Sequence, residues 1–180
     1  MYIKTILKVA AVFIGCFIAG GLLLPAEFEL SRSIAIAAHP VKVHLQVGEL
    51  TQWQAWWPWD RKRGTKTLTP GPITSGPGAT LSWTGKPRPG EVVLIKTSPT
   101  EGLEYEVLLA GNAKPYKGKF IYHATEQGTV LELVVSGRFE TPITGPYLAT
   151  LCDSMHGGML DWGLENIKEL VESDKREIFF

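Results

Sequence analysis

The sequence predicts an α+β domain, an antiparallel sheet closed by one long C-terminal helix, carried behind an N-terminal apolar helix. Three observations predict it. The sixteen residues from Val9 to Leu24 hold no charge, five apolar or alternating runs between residues 78 and 139 are separated by turn-forming residues, and from Tyr147 onward apolar residues return at three- and four-residue intervals.

Composition sets the frame. With 44% apolar and 20% charged residues, the chain is one ordinary globular domain with an appendage. The formal net charge is zero; residues 1–26 hold Lys4 and Lys8 and no acid, which leaves 16 basic against 18 acidic residues in the rest. That balance gives no electrostatic reason to expect a nucleic-acid partner.

The appendage comes first. About twenty apolar residues span a bilayer as a helix, and residues 6–24 supply them, with Lys8 able to snorkel. Lys4 and Lys8 precede the apolar run, so the positive-inside rule keeps the N-terminus cytoplasmic and puts the domain on the extracytoplasmic, periplasmic side. A cleaved signal peptide has the same charge and length pattern, but "LLLPAEF" offers no A-x-A site, which favours an uncleaved anchor. "FIGC", ending at Cys16, faintly resembles a lipoprotein cleavage box, yet the apolar run continues past it to Leu24. The two cysteines, Cys16 and Cys152, fall in different parts of the protein, so the domain is expected to hold by packing alone, with Cys152 a small buried hydrophobe.

The soluble part is read as residues 27–176, followed by a tail at 177–180. "FELSRSIAIAA", Phe28 to Ala38, places Phe28, Leu30, Ile34 and Ile36 on one side, the period of a half-buried strand. His39-Pro40 ends it, and "PVKVHLQVGEL" reads as a short helix with Pro40 in its first turn. "WQAWWPW" gives a second short helical piece, broken at Pro58. Thr65 to Gly78 is mostly loop with a ragged strand near Thr67. "GATLSW", "GEVVLIKTS", "LEYEVLLAG", "YKGKFIYHATEQ" and "TVLELVVSGRFE" then form a meander. A long amphipathic helix over residues 146–173, with Gly157-Gly158 as a weak point, closes the chain. That helix is the one element long enough to cover the sheet's apolar face. Gly137, Gly157, Gly158, Met155 and Met159 at the seam would leave room for a cavity.

The stretch from "FELSRSIAIAAHPVKVHLQVGELTQWQAWWPW" through "SGPGATLSWTG" to "LATLCDSMHGGMLDWGLENIKELVE" resembles the polyketide cyclase/dehydrase and lipid-transport family of the START-like (SRPBCC) superfamily, over about residues 28–173. Its most specific pieces are W-x-x-W-x-P-W, matched by Trp53, Trp56, Pro58 and Trp59, and G-x-G-A-x-x-S-W, matched from Gly76 to Trp83. The resemblance implies a helix-grip (Bet v 1-like) fold, a curved sheet wrapped around the C-terminal helix with a hydrophobic cavity between them. It also implies binding of lipids, sterols, polyketides or other apolar molecules, and catalysis in only some members. By the same resemblance the two short helices close one cavity end, making Trp53, Trp56, Trp57 and Trp59 an aromatic lid, some rings wedged into the domain and others at the rim. For any single ring, plain core packing is the stronger alternative.

Catalytic constellations are thin. His39, His44, His123 and His156 have no metal-ligand spacing, and HExxH, CxxC and G-x-S-x-G motifs are missing from the sequence, so neither metal nor cofactor is expected. Cys152 and His156 stand one helical turn apart, which reads as ordinary packing without a third ligand or orienting acid. Asp60 with Arg61, Lys62 and Arg63 is a charged loop, solvated or resting on anionic headgroups. Strand alternation turns Trp83, Tyr105, Phe120, Tyr122, Leu133, Val135 and Phe139 inward, and the two phenols have no activating partner in sequence.

The expected ligand-binding set is Trp53, Trp56, Trp59, Trp83, Tyr105, Phe120, Tyr122, Phe139, Leu151, Met155 and Met159. The functional expectation is membrane-tethered binding or transport of a hydrophobic small molecule or lipid. Two alternatives stay open: a cyclase/dehydratase-like enzyme using Tyr105 or Tyr122, and an envelope interaction module with a collapsed cavity.

Overall fold

The structure is a computed structural model and describes residues 2–57, 67–85 and 88–174. The first helix, α1 (Tyr2–Leu23), has 22 residues, which at 1.5 Å each reach about 33 Å. It is long and apolar enough to cross a membrane, a property that anchors and signal sequences share.

The soluble elements follow the expected order. Strand β1 (Glu27–Ile36) leads through His39 into helix α2 (Pro40–Val47). Pro40 occupies the first helical turn, where its missing N–H is not needed, and the His39 side chain accepts from Val41 N. A 3-10 turn, Leu50–Gln52, runs into helix α3 (Trp53–Trp56). The ragged strand is β2 (Thr67–Pro70), and the five runs are β3 (Thr80–Thr84), β4 (Gly90–Ser98), β5 (Gly102–Leu109), β6 (Tyr116–Thr125) and β7 (Gly128–Arg138). Helix α4 (Thr144–Ser173) passes through Gly157 and Gly158 without a break, so the expected weak point is not one.

The seven strands form one antiparallel sheet in the order β1-β7-β6-β5-β4-β3-β2. The β4–β5 register shifts between Leu94 and Lys96; the extra residue bends the sheet, as a bulge does. Gly76 and Gly78 explain the glycine-led motif ahead of β3. Both adopt a left-handed φ (80° and 85°), and Gly78 N then donates to Leu94 O, turning the chain so that Ala79 is fully buried.

Helix α4 lies chiefly on β1. Arg32 shares a face with Leu30 and Ile34, and its guanidinium reaches α4 to bond Asp153 and, at 3.3 Å, Asp161. Gly157 lies between those two acids, and a Cβ there would collide with the guanidinium, so the glycine makes the seat for Arg32. Farther along, Lys168 Nζ donates to Ala35 O (2.8 Å), and Glu172 accepts from Ala37 N (2.9 Å). The helix is thus fixed to the strand at two levels a few turns apart.

Candidate functional site

The inner face of the sheet divides into a packed end and a half-open end. At the packed end, α3 presses its indoles against β3, β5 and β6. Ring centroids lie 5.2 Å apart for Trp53–Tyr105, 5.8 Å for Trp56–Phe120, 6.1 Å for Trp57–Trp83 and 6.0 Å for Tyr105–Phe120. Trp53 Nε1 donates to Val47 O (2.8 Å) and Trp56 Nε1 to Gln46 O (3.2 Å), so α2 carbonyls satisfy both buried donors. Trp53, Trp56 and Trp57 are all buried, wedged into the domain. Trp59 and the charged loop Asp60–Arg63 lie outside the described residues.

Glycines make this ring packing possible. Tyr105 lies across its register partner Gly118, Trp83 across its partner Gly90, and Tyr116 across Gly137, and in each case a Cβ would overlap ring carbons. Aromatic rings laid flat over cross-strand glycines thicken the inner face without adding atoms beneath them.

The half-open end lies where β1 begins and β7 ends. There Phe28, Val107, Leu109, Val135 and Phe139 pack against the core without being fully covered. Phe28, Tyr116 and Phe139 form a ring triad with centroids 5.1 to 6.5 Å apart. Phe139 lies one residue past β7, where its N–H donates to Ala26 O (3.0 Å) and carries the ladder one step on, so it keeps the inward parity of Leu133 and Val135. Leu133 is buried on the same face.

The helix side differs from expectation. Its buried stripe is Cys152, Gly157, Leu160, Gly163, Leu164, Ile167 and Val171. Met159 is half-buried beside that stripe, whereas Leu151 (52% exposed) and Met155 (56% exposed) point outward and do not meet the sheet. Gly157 and Gly163 belong to the buried stripe, and Leu151 and Met155 are turned to the other side.

One polar pair faces the interior. Tyr122, assigned no partner from sequence, holds its hydroxyl 3.0 Å from His44 Nδ1 on α2. Burial lowers the His44 pKa and raises that of Tyr122, so both groups are held neutral and share one proton-bearing hydrogen bond. Tyr105 is also raised by burial. Cys152 and His156 do come together, Sγ to Nδ1 3.8 Å, but burial, with Asp153 adding, raises the thiol pKa, which keeps it from being a thiolate nucleophile. Among the described residues no group of three or more His, Cys, Asp or Glu is placed to hold a metal ion.

Beside the half-open end is a pocket of about 420 Å³ at the root of α1. Its walls come from the end of α1 and the following link (Gly21, Leu22, Leu24, Pro25), from Phe139, and from Pro142 and Pro146 at the start of α4, with Glu27, Arg138 and Glu140 at its polar side. Glu27 and Arg138 form an ion pair across the first β1–β7 register step. The helix itself is docked there. Phe17 stacks on Tyr147 (4.6 Å, 5°), Tyr147 Oη donates to Phe17 O (2.8 Å), and Gly20 and Gly21 leave room for Tyr147 and Ile143.

Comparison with known proteins fits this architecture. The family model described as polyketide cyclase/dehydrase and lipid transport matches residues 27–172. No curated protein matches the sequence. Among solved structures, protein CV1439 from Chromobacterium violaceum superposes with a TM-score of 0.58 at 15% identity, covering 82% of this chain and 99% of that one. Norcoclaurine synthase from Thalictrum flavum, solved with dopamine and hydroxybenzaldehyde, gives 0.62 at 11% identity over 87% of this chain and 93% of its own. The di-domain ARO/CYC StfQ of the steffimycin biosynthetic pathway gives 0.62 at 12% identity over 81% of this chain and 51% of its own. At these identities the likeness is one of fold: the helix-grip architecture of a curved antiparallel sheet and a long C-terminal helix.

Proposed function

The chain belongs to the polyketide cyclase/dehydrase and lipid transport family, and from that premise we propose that it is a membrane-tethered protein that binds or carries a hydrophobic small molecule or lipid between its sheet and α4. The observation that carries this reading is the contiguous strip of incompletely covered apolar side chains, Phe28, Val107, Leu109, Val135 and Phe139, at one end of an otherwise packed inner face. An apolar guest covering that strip gains about 25 cal/mol for each Å² withdrawn from water. The α1 helix serves as an uncleaved anchor and, with Lys4 and Lys8 before it, holds the domain on the extracytoplasmic side, where the tether raises the lipid concentration at the site. Native mass spectrometry of the detergent-extracted full chain tests the reading. A co-purifying apolar molecule supports it; preparations that carry none and bind neither fatty-acid, sterol-like nor aromatic probes reject it.

A second reading is favoured by one specific observation, the Tyr122–His44 pair. A neutral phenol backed by a neutral imidazole can lend a proton to a carbonyl or leaving hydroxyl of a bound polyketide-like molecule, as a cyclase or dehydratase requires. Tyr122→Phe then abolishes turnover while leaving affinity for the same molecule within a few fold, an outcome that a pure carrier has no turnover to show.

A further inference from the structure

From the position of the pocket at the root of α1 we infer that it is the intake through which the apolar guest passes from the bilayer into the grip, with Phe139 as the gate. This rests on the reading that the grip holds such a guest. The reasoning starts with α1. Its last turn supplies Gly21 and Leu22 to the pocket wall, so a helix that spans the bilayer opens this pocket at the membrane surface. The opening is held there rather than swinging on a leash, because the Phe17–Tyr147 stack, the Tyr147 hydrogen bond and the close fit at Gly20 and Gly21 fix α1 against the start of α4.

The pocket's chemistry is two-sided. Leu22, Leu24, Pro25, Phe139, Pro142 and Pro146 offer apolar wall, and the Glu27–Arg138 pair lies on the same rim. Its volume of about 420 Å³ falls within the range of small-molecule sites. Such a lining accepts an amphiphile, a molecule with an apolar chain and one polar end. The inner boundary is a single side chain. Phe139 lines the pocket and, with Phe28 (5.1 Å) and Tyr116 (6.5 Å), also forms the aromatic triad of the half-open inner face. Among the described residues, Phe139 alone belongs both to the pocket wall and to the half-covered apolar side chains of the inner face. Movement of that ring therefore joins the two spaces.

The test uses the full chain in phosphatidylcholine vesicles containing doxyl-labelled lipid, with anthroyloxy stearate as the probe. The doxyl groups quench the probe in the bilayer, and capture by the protein restores its fluorescence. Pro142→Trp fills the pocket mouth and is expected to slow capture and release together by about tenfold, which corresponds to about 1.4 kcal/mol of added barrier. Phe139→Ala removes the gate and is expected to accelerate both. Opposite signs from two substitutions at one place are not produced by a folding defect. If the wild-type chain never restores fluorescence, the binding reading fails and the intake with it. If it does, and Pro142→Trp matches the wild-type rate or Phe139→Ala slows capture, the intake alone is overturned. Delivery of the same probe from albumin separates the two sources: faster capture from water than from the bilayer also overturns it.

Discussion

Gly118→Ala measures whether ring-over-glycine packing sets the inner face. On an ordinary strand this substitution relieves about 0.5–1 kcal/mol of glycine's conformational cost. Here the added Cβ would overlap the Tyr105 ring, which has Trp53 edge-on at 5.2 Å and Phe120 stacked at 6.0 Å and is almost fully buried. Restoring ordinary carbon separations of about 3.5–4.0 Å moves the ring by roughly 1–2 Å into those neighbours. Overpacking of that kind costs about 1–3 kcal/mol. The net destabilisation is about 1–2 kcal/mol, which for a domain of this size lowers Tm by roughly 3–8 °C. The assay is thermal unfolding of the full chain in mild detergent, followed by indole fluorescence, in a double-mutant cycle with Tyr105→Ala. In the Tyr105→Ala background, which leaves its own cavity, Gly118→Ala becomes neutral or slightly stabilising, a coupling of about 2 kcal/mol. Effects that add within about 0.5 kcal/mol refute the reasoning.

Three further outcomes follow from buried ionisable groups. Burial lowers the His44 pKa, so the unfolded chain binds its proton more readily; His44's contribution is complete above about pH 6.5 and is lost as pH falls below that value, and His44→Gln flattens the acid limb of a stability–pH profile. Tyr122 acts with the opposite sense: its raised pKa gives stability that is complete below about pH 10 and lost as pH rises above it, a loss that Tyr122→Phe removes. Cys152, buried and shifted upward, is expected to resist iodoacetamide at pH 8 in the folded domain and to react once unfolded; rapid labelling of the native protein contradicts the assigned thiol state.

The fold was legible wherever a residue's role follows from its neighbours in sequence. Alternation located β3 to β7 and β1, and Pro40 marked the start of α2, because period two and helix-start chemistry are local. Roles set across the sheet were not. Gly118 and Gly90 carry no signal of their own inside their strand runs; their role emerges only when the register puts Tyr105 and Trp83 over them. The Tyr122–His44 bond joins residues 78 positions apart, and no spacing rule reaches that far. Leu151 and Met155 read as inward because a helix with apolar residues on several sides has no single readable stripe, and part of its buried stripe is glycine, which carries no hydropathic signal. One signal was available and passed over: Asp153, Gly157 and Asp161 at four-residue spacing mark a seat for a cation, and Arg32 is the charged residue inside the apolar alternation of β1.

The bonds from Lys168 and Glu172 to Ala35 and Ala37 bear on the free margin of the sheet. β1 is an outermost strand, and outermost strands invite a neighbouring chain to add its own ladder. With α4 laid along its C-terminal end, where Lys168 engages Ala35 O, that part of the margin is occupied. A second chain adding its ladder there would first have to displace the lysine.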